Sequence, residues 1–215
     1  MDTNTIRDII IAIPGFLVAI TVHEFAHGYI AYRLGDPTAK LAGRLTLNPI
    51  SHLDLVGSLV LVVTQMIGWA KPVPVDPRYL RDPRRDMLWI SLAGPAANII
   101  AATALALILH PLFFAFPESS MGPMTEKFVV PILKMIGAGV VINVGLGIFN
   151  LVPVPPLDGS KILAGMLPRD LAYKYEQLEP YGFIILLVLI FTGIVRYIVY
   201  PPIIYVQYIL LGWLG

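Results

Sequence analysis

The 215-residue chain contains no cysteine and has few charged side chains. Disulfide bonds and thiolate ligands are thereby excluded, so any metal site must use histidine and carboxylate groups. Charged residues make up 13% of the chain and hydrophobic residues 57%, whereas a soluble domain carries about 25% charged residues. The net charge of +1 provides no basic field, and we expect no nucleic-acid partner. The composition predicts a protein embedded in the lipid bilayer, and the length favours a single domain over residues 1–215.

Long apolar segments predict an all-α polytopic membrane protein with about four transmembrane helices, at residues 9–32, 87–115, 128–152 and 181–200. Pro201 and Pro202 are expected to end the fourth helix. Two further apolar runs, residues 55–69 and 203–214, are too short to cross about 30 Å of hydrocarbon unaided. We expect residues 55–69 to be re-entrant or interfacial. For residues 203–214, the sequence leaves open whether they span the membrane or are re-entrant.

A small membrane-associated β-hairpin is predicted after the first helix. Residues 38–48 contain the alternating stretch Arg44-Leu45-Thr46-Leu47, and Asn48-Pro49 would end a strand there. If Leu45, Thr46 and Leu47 form an exposed strand edge, an extended substrate peptide could pair with it.

The distribution of basic residues predicts the orientation in the cell membrane. Eight of the 15 Lys and Arg residues lie in residues 33–86 and three lie in residues 158–180. Because basic loops stay on the cytoplasmic side, both regions are predicted to face the cytoplasm.

The most informative motif is His-Glu-x-x-His at residues 23–27, inside the first apolar segment. Four residues of α-helix turn through about 400°, so His23 and His27 lie on the same face and can hold one Zn²⁺, with Glu24 beside it. Ionisable groups inside a membrane helix are costly and usually mark function.

A catalytic zinc needs a third protein ligand, which could be a carboxylate, a histidine or a water-bridged group. Asp158 is the best candidate, because Pro153, Pro155 and Pro156 predict an extended segment just before it. Non-helical backbone at membrane depth is tolerated where it lines a protein cavity. Alternatively, Asp158 could serve only in a turn, since Asp-Gly favours turns.

Three motifs together resemble the site-2 protease family of intramembrane zinc metalloproteases, specifically its small, compact prokaryotic members. They are His-Glu-x-x-His at residues 23–27, Gly-Pro-x-x-Asn at 94–98, and Asn-x-x-Pro-x-Pro-x-Leu-Asp-Gly at 150–159. The resemblance covers residues 23–159 and implies His23, His27 and Asp158 as zinc ligands, with Glu24 as the catalytic base. It also implies a hairpin at residues 38–48 and a metal within the membrane near its cytoplasmic face. No PDZ or CBS module is recognised in the sequence.

Three further polar residues are candidates for substrate or oxyanion contacts. Asn98 could donate to a developing oxyanion or could simply join helices by hydrogen bonds. Asn150 could contact the substrate backbone or play the same structural role. His52 could be structural, lie near the substrate or approach the metal.

The function predicted from these residues is a zinc endopeptidase that cuts within or next to transmembrane segments of membrane proteins. It would act within the bilayer, and a homo-oligomer is possible. A metal transporter is the main alternative, because intramembrane His and Asp also mark ion pathways. A transporter has no special need for Glu24, however, and that residue also argues against a catalytically silent scaffold.

Overall fold

A computed structural model describes residues 3–64, 68–117 and 122–212, which are predominantly helical. Nine α-helices occur within these residues: α1 Thr3–Arg33, α2 Thr38–Leu41, α3 Leu55–Thr64, α4 Pro83–Ala115, α5 Pro123–Asn150, α6 Asp158–Met166, α7 Arg169–Glu176, α8 Gly182–Phe191 and α9 Ile194–Leu211. Four of them, α1, α4, α5 and α9, are long and apolar enough to cross a membrane. The prediction of a helical protein with four helices long and apolar enough to span a membrane is therefore confirmed.

The fourth of these helices begins later than the sequence suggested. The helical segment predicted at residues 181–200 is divided at Gly193, whose φ of 78° ends the regular helix between α8 and α9. Pro201 and Pro202 lie inside α9 instead of ending it. Proline loses a backbone donor but keeps a φ near −65°, which is compatible with a helix. The predicted apolar run 203–214 is thus part of α9 as far as Leu211, and its last two residues lie outside the described chain.

Helices α1, α4 and α5 form the centre of the molecule, and small residues let them approach closely. A Cβ atom at Gly15 of α1 would lie 2.5 Å from the Cα of Gly139 in α5. A buried stripe of Gly94, Asn98 and Ala102 on α4 faces this crossing. Small residues at helix interfaces are typical of membrane proteins, because they allow backbone contact.

The prediction of a β-hairpin at residues 38–48 is wrong. Thr38–Leu41 forms a helical turn, and Leu45, Thr46 and Leu47 follow as bends without a strand partner. Within the described residues, the β-structure is one isolated antiparallel bridge, between Leu53 and Ala70. Local hydrogen bonds replace the pairing that a strand would need. The Thr46 backbone oxygen bonds to the His52 imidazole, and the Thr46 hydroxyl accepts from the Asn48 N–H. Residues 45–47 therefore do not offer the strand edge that was expected to hold a substrate.

Helix α3 and the extended segment at residues 68–82 lie between the central helices α1 and α4 in the chain. Helix α3 has 10 residues and is about 15 Å long, which is half the hydrocarbon thickness. Residues 65–67, in the predicted apolar run 55–69, lie outside the described chain, and the re-entrant placement of the run stays a prediction. The extended segment is held by Lys71, whose N–H donates to the His52 carbonyl at 2.9 Å and whose carbonyl accepts from Arg44 Nη2 at 2.6 Å.

Candidate metal centre

The two histidines of the first motif are oriented by carbonyl oxygens on α4. Nδ1 of His23 lies 2.6 Å from Oδ1 of Asn98, and Nδ1 of His27 lies 2.7 Å from the backbone oxygen of Ile90. A carbonyl oxygen can only accept a hydrogen bond, so each Nδ1 carries the ring proton. The lone pair of each neutral imidazole is therefore on Nε2.

Asp158 brings a carboxylate to these two lone pairs. It is the first residue of α6, and Gly159 permits the close packing behind it, because a Cβ there would lie 2.3 Å from the Leu151 oxygen. Oδ2 of Asp158 lies 3.1 Å from Nε2 of His23 and 3.3 Å from Nε2 of His27.

These three side chains form a set of acceptors that fits a cation. Oδ2 of Asp158 is buried without a hydrogen-bond partner, and the ligand atoms of His23, His27 and Asp158 lie within 4.8 Å of one another. Metal–ligand distances of 2.0–2.1 Å in a tetrahedral site place neighbouring ligands about 3.3 Å apart. The separations between Asp158 and the two imidazoles are close to that value. A His₂–carboxylate set without thiolates is typical of catalytic zinc.

Asn98 supports His23 with its carbonyl oxygen, and its orientation follows from its other partners. Its Nδ2 group donates to the Ala19 backbone oxygen at 2.9 Å and to Oδ1 of Asn143 at 3.1 Å. Both amide hydrogens are therefore used, and this arrangement leaves no donor for an oxyanion. The geometry favours the alternative in which Asn98 joins helices by hydrogen bonds. One of these bonds is to His23 of the candidate metal site. Asn143 lies in none of the three sequence motifs.

Glu24 lies one residue from His23, and the segment that follows α3 contacts it. Oε2 of Glu24 accepts a hydrogen bond of 2.8 Å from the Val73 backbone N–H. Val73 is buried, and one of its methyl groups would lie 3.1 Å from a Cβ at Gly28. A backbone donor leaves almost no trace in a sequence, although three prolines in residues 72–77 indicate an extended segment.

The other candidates of the sequence analysis occupy different places. His52 is fully buried, and its Nε2 lies 2.8 Å from the Thr46 oxygen, so it stabilises the bend at residues 45–47. Asn150, the last residue of α5, donates from Nδ2 to the Leu146 oxygen at 3.0 Å, and its side chain lines the cleft described next.

A cleft of about 1280 Å³ contains the metal site and is lined by both apolar and charged side chains. The apolar ones include Phe16, Ile20, Phe149 and Leu186, from α1, α5 and α8. The charged ones include Arg84, Lys161, Arg169 and Glu176, from α4, α6 and α7. The cleft can therefore hold an apolar segment next to a polar, charged one.

The chain belongs to Peptidase family M50, whose family model matches residues 11–138 and 123–192. It is 40% identical over 185 residues to "Putative zinc metalloprotease YwhC" of Bacillus subtilis, a match that covers 86% of this chain and 82% of the relative. It is 30% identical over 190 residues to "Putative zinc metalloprotease Rip2" of Mycolicibacterium smegmatis, covering 85% of this chain and 67% of the relative. "Zinc metalloprotease MJ0392" of Methanocaldococcus jannaschii is 24% identical over 156 residues, which are 73% of this chain and 34% of the relative.

No solved structure matches the chain at a comparable level. The family and the donor set agree, and the prediction of a zinc metalloprotease of the site-2 protease type is confirmed. Zinc is the metal that both indicate.

Proposed function

We propose that this zinc metalloprotease is an intramembrane endopeptidase that hydrolyses peptide bonds within or next to transmembrane segments of membrane proteins, as in regulated intramembrane proteolysis. The observation that carries the proposal is that lone pairs of His23, His27 and Asp158 converge beside Glu24. Both histidines and Glu24 lie in α1, which is long and apolar enough to cross a membrane. His23 lies ten residues before the end of α1 at Arg33, which is about 15 Å along the helix axis. This distance is about half of the 30 Å hydrocarbon thickness, so a metal held there would lie at membrane depth.

In this proposal, His23, His27 and Asp158 are the metal ligands and Glu24 is the catalytic base. Zinc, when bound, supplies a Lewis acid that activates water and polarises the scissile carbonyl. The Glu24 carboxylate accepts a proton from the attacking water and passes it to the nitrogen of the leaving amine. The Val73 N–H uses one acceptor site of Oε2, and the carboxylate has several more for this proton.

The mixed apolar and charged lining of the cleft supports a membrane-protein substrate. A transmembrane helix satisfies its own backbone hydrogen bonds, so it must unwind locally before a carbonyl can be attacked. An unwound segment needs polar partners at its backbone and apolar partners at its side chains, and the cleft offers both. Asn150 lines the cleft and is our candidate for a contact with the substrate backbone.

We also propose that the site faces the cytoplasm. His27 and the basic region 33–86 are close in sequence to the end of α1 at Arg33. Asp158 and the basic region 158–180 are close in sequence to the end of α5 at Asn150. Basic residues near helix ends favour the cytoplasmic side.

The test is the Glu24→Gln variant, with Glu126→Gln at the start of α5 as the matched control. Substrates are found by comparing the membrane proteomes of cells that carry wild type or Glu24→Gln, and the strongest candidate is reconstituted with purified protein in vesicles. We expect Glu24→Gln to keep stoichiometric zinc and to lose cleavage by at least about 100-fold, the usual contribution of a general base. Wild-type cleavage rates in Glu24→Gln would refute the catalytic role. If Glu24→Gln vesicles instead accumulate zinc ions as wild type does and neither protein cleaves, the chain is a transporter.

A further inference from the structure

Asn143 is a fully buried amide in the middle of α5, and its partners link it to the metal site. Its Nδ2 donates to the Gly139 backbone oxygen at 2.8 Å, and its Oδ1 accepts from Nδ2 of Asn98 at 3.1 Å. Asn98 in turn accepts from His23 through Oδ1. The bonds form a continuous chain from the α5 backbone to a histidine whose other nitrogen faces Asp158.

Each amide in this chain can have only one orientation. The Gly139 oxygen is an acceptor, so the nitrogen of Asn143 must face it and the oxygen of Asn143 must face Asn98. Nδ2 of Asn98 then has acceptors for both of its hydrogens, Asn143 Oδ1 and the Ala19 oxygen. If Asn98 turned over, its oxygen would face two other oxygens, and the Nδ1–H of His23 would lose its acceptor.

The helix crossing explains why Asn143 is at this position. Gly15 and Gly139 bring α1 and α5 into backbone contact, and the next turn of each helix carries Ala19 and Asn143. Both residues therefore reach the Asn98 amide and accept from its Nδ2. One further turn along α5, Gly147 lies against α4, where an added Cβ would be 3.2 Å from the Cβ of Asn98.

We propose that Asn143 is a positioning residue for the metal site, which acts by holding the Asn98 amide in the orientation that keeps the His23 Nε2 lone pair directed at zinc. The inference rests on the metal site of the proposed function and adds a residue from α5 to it. In a water-poor interior, an amide hydrogen left without an acceptor is costly, so loss of Asn143 favours rotation of Asn98 away from its present position.

The test measures zinc affinity of the metal-free full chain by competition with a chelator, together with the visible spectrum of the Co²⁺-substituted protein. Asn143→Leu replaces the amide with an apolar side chain of similar volume, and Asn143→Ala is the second variant if the leucine is not accommodated. Loss of a side chain that hydrogen-bonds to a metal ligand typically lowers metal affinity by about 10–100-fold, and we expect such a loss for Asn98→Leu. For Asn143→Leu, one step further from the ligand, we expect a loss of roughly threefold to tenfold and a shifted Co²⁺ spectrum.

The double variant Asn98→Leu/Asn143→Leu decides how Asn143 acts. Because Asn143 acts through Asn98, the double variant should bind zinc no more weakly than Asn98→Leu alone. Val140→Ala, at a fully buried neighbouring position in α5, is the matched control for destabilisation. It should lower thermal stability while leaving zinc affinity and the Co²⁺ spectrum unchanged.

Three results would overturn the inference: unchanged zinc affinity in the folded Asn143 variant, additive losses in the double variant, or an equal affinity loss in Val140→Ala. These outcomes are separate from failure of the proposed function. A wild-type protein that binds zinc and cleaves no membrane protein would contradict the proposed protease activity and leave this test unaffected.

Discussion

Gly94 of α4 lies directly against His27 of α1, and a Cβ atom at residue 94 would be 2.5 Å from Nε2 of that imidazole. The same Cβ would lie 2.7 Å from Cε1 of His23. Because Nε2 of His27 also faces Asp158, a methyl group at residue 94 would enter the space in which the lone pairs converge. The absence of a side chain at Gly94 thus keeps that space open for a metal.

The first prediction is that Gly94→Ala loses zinc. Alanine is favoured over glycine in a helix by about 0.5–1 kcal/mol, so any loss must come from the contact with the histidines. Gly145→Ala is the matched control, since a Cβ at Gly145 of α5 would have no atom within 4 Å apart from its own stretch of helix. We expect metal analysis of purified proteins to find zinc in Gly145→Ala and little in Gly94→Ala. Full zinc occupancy in Gly94→Ala would mean that the metal lies elsewhere.

The second prediction concerns Asp158 as the third ligand. Asp158→Asn removes the charge from the oxygen that faces both imidazoles, whereas Asp170→Asn changes an exposed carboxylate on α7. We expect the zinc affinity of Asp158→Asn to fall by at least about 10-fold, since loss of an outer-shell partner alone typically has that effect. Asp170→Asn should bind zinc as wild type does. Equal affinities in the two variants would remove Asp158 from the metal site.

The third prediction concerns Asp36, which holds the segment that contacts Glu24. The buried Asp36 carboxylate accepts from the Thr38 N–H at 2.9 Å, from the Thr38 hydroxyl, and from the Asp76 N–H at 2.8 Å. Asp36→Ala leaves these donors without a partner, and each buried unpaired group costs about 1–3 kcal/mol. We expect a lower free energy of unfolding and faster amide hydrogen exchange at residues 70–80. Asp8→Ala, at an exposed position of α1, is the control and should change neither. Wild-type exchange at residues 70–80 in Asp36→Ala would show that other contacts hold the segment.

The fourth prediction concerns topology and uses the absence of native cysteine. Single cysteines at Ala42, Arg81 and Lys127 occupy exposed positions. In intact cells, a membrane-impermeant thiol reagent should label only Lys127→Cys, because the basic regions around residues 42 and 81 are expected inside. After permeabilisation, all three should react. Labelling of one of residues 42 and 81 in intact cells, without the other, would mean that residues 55–69 cross the membrane.

The sequence was sufficient where the length of an apolar segment or the spacing of residues along a helix decides the structure. Long apolar segments predicted α1, α4 and α5 because lipid forces such backbone into helices. The spacing of His23 and His27 determined that both lie on one helix face. These features depend on residues within a few turns, and so they are readable without knowledge of the fold.

Two predictions failed although the features that replaced them are close by in sequence. The alternation at residues 44–47 suggested a strand, but pairing needs a partner backbone, and the His52 side chain takes the Thr46 oxygen instead. The paired prolines at residues 201–202 suggested a helix end, whereas the chain breaks earlier, at Gly193.

Only the tertiary structure decided which groups surround the metal site. Asn98 and Asn143 are 45 residues apart in sequence, and Val73 is 49 residues from Glu24. The sequence marked Asn98 as polar within an apolar helix but left its role open. The role follows from the crossing of α1 and α5, which brings the Ala19 oxygen and the Asn143 amide to the same side chain. Hydrogen bonds of this kind depend on angles and distances between helices, and packing alone sets those.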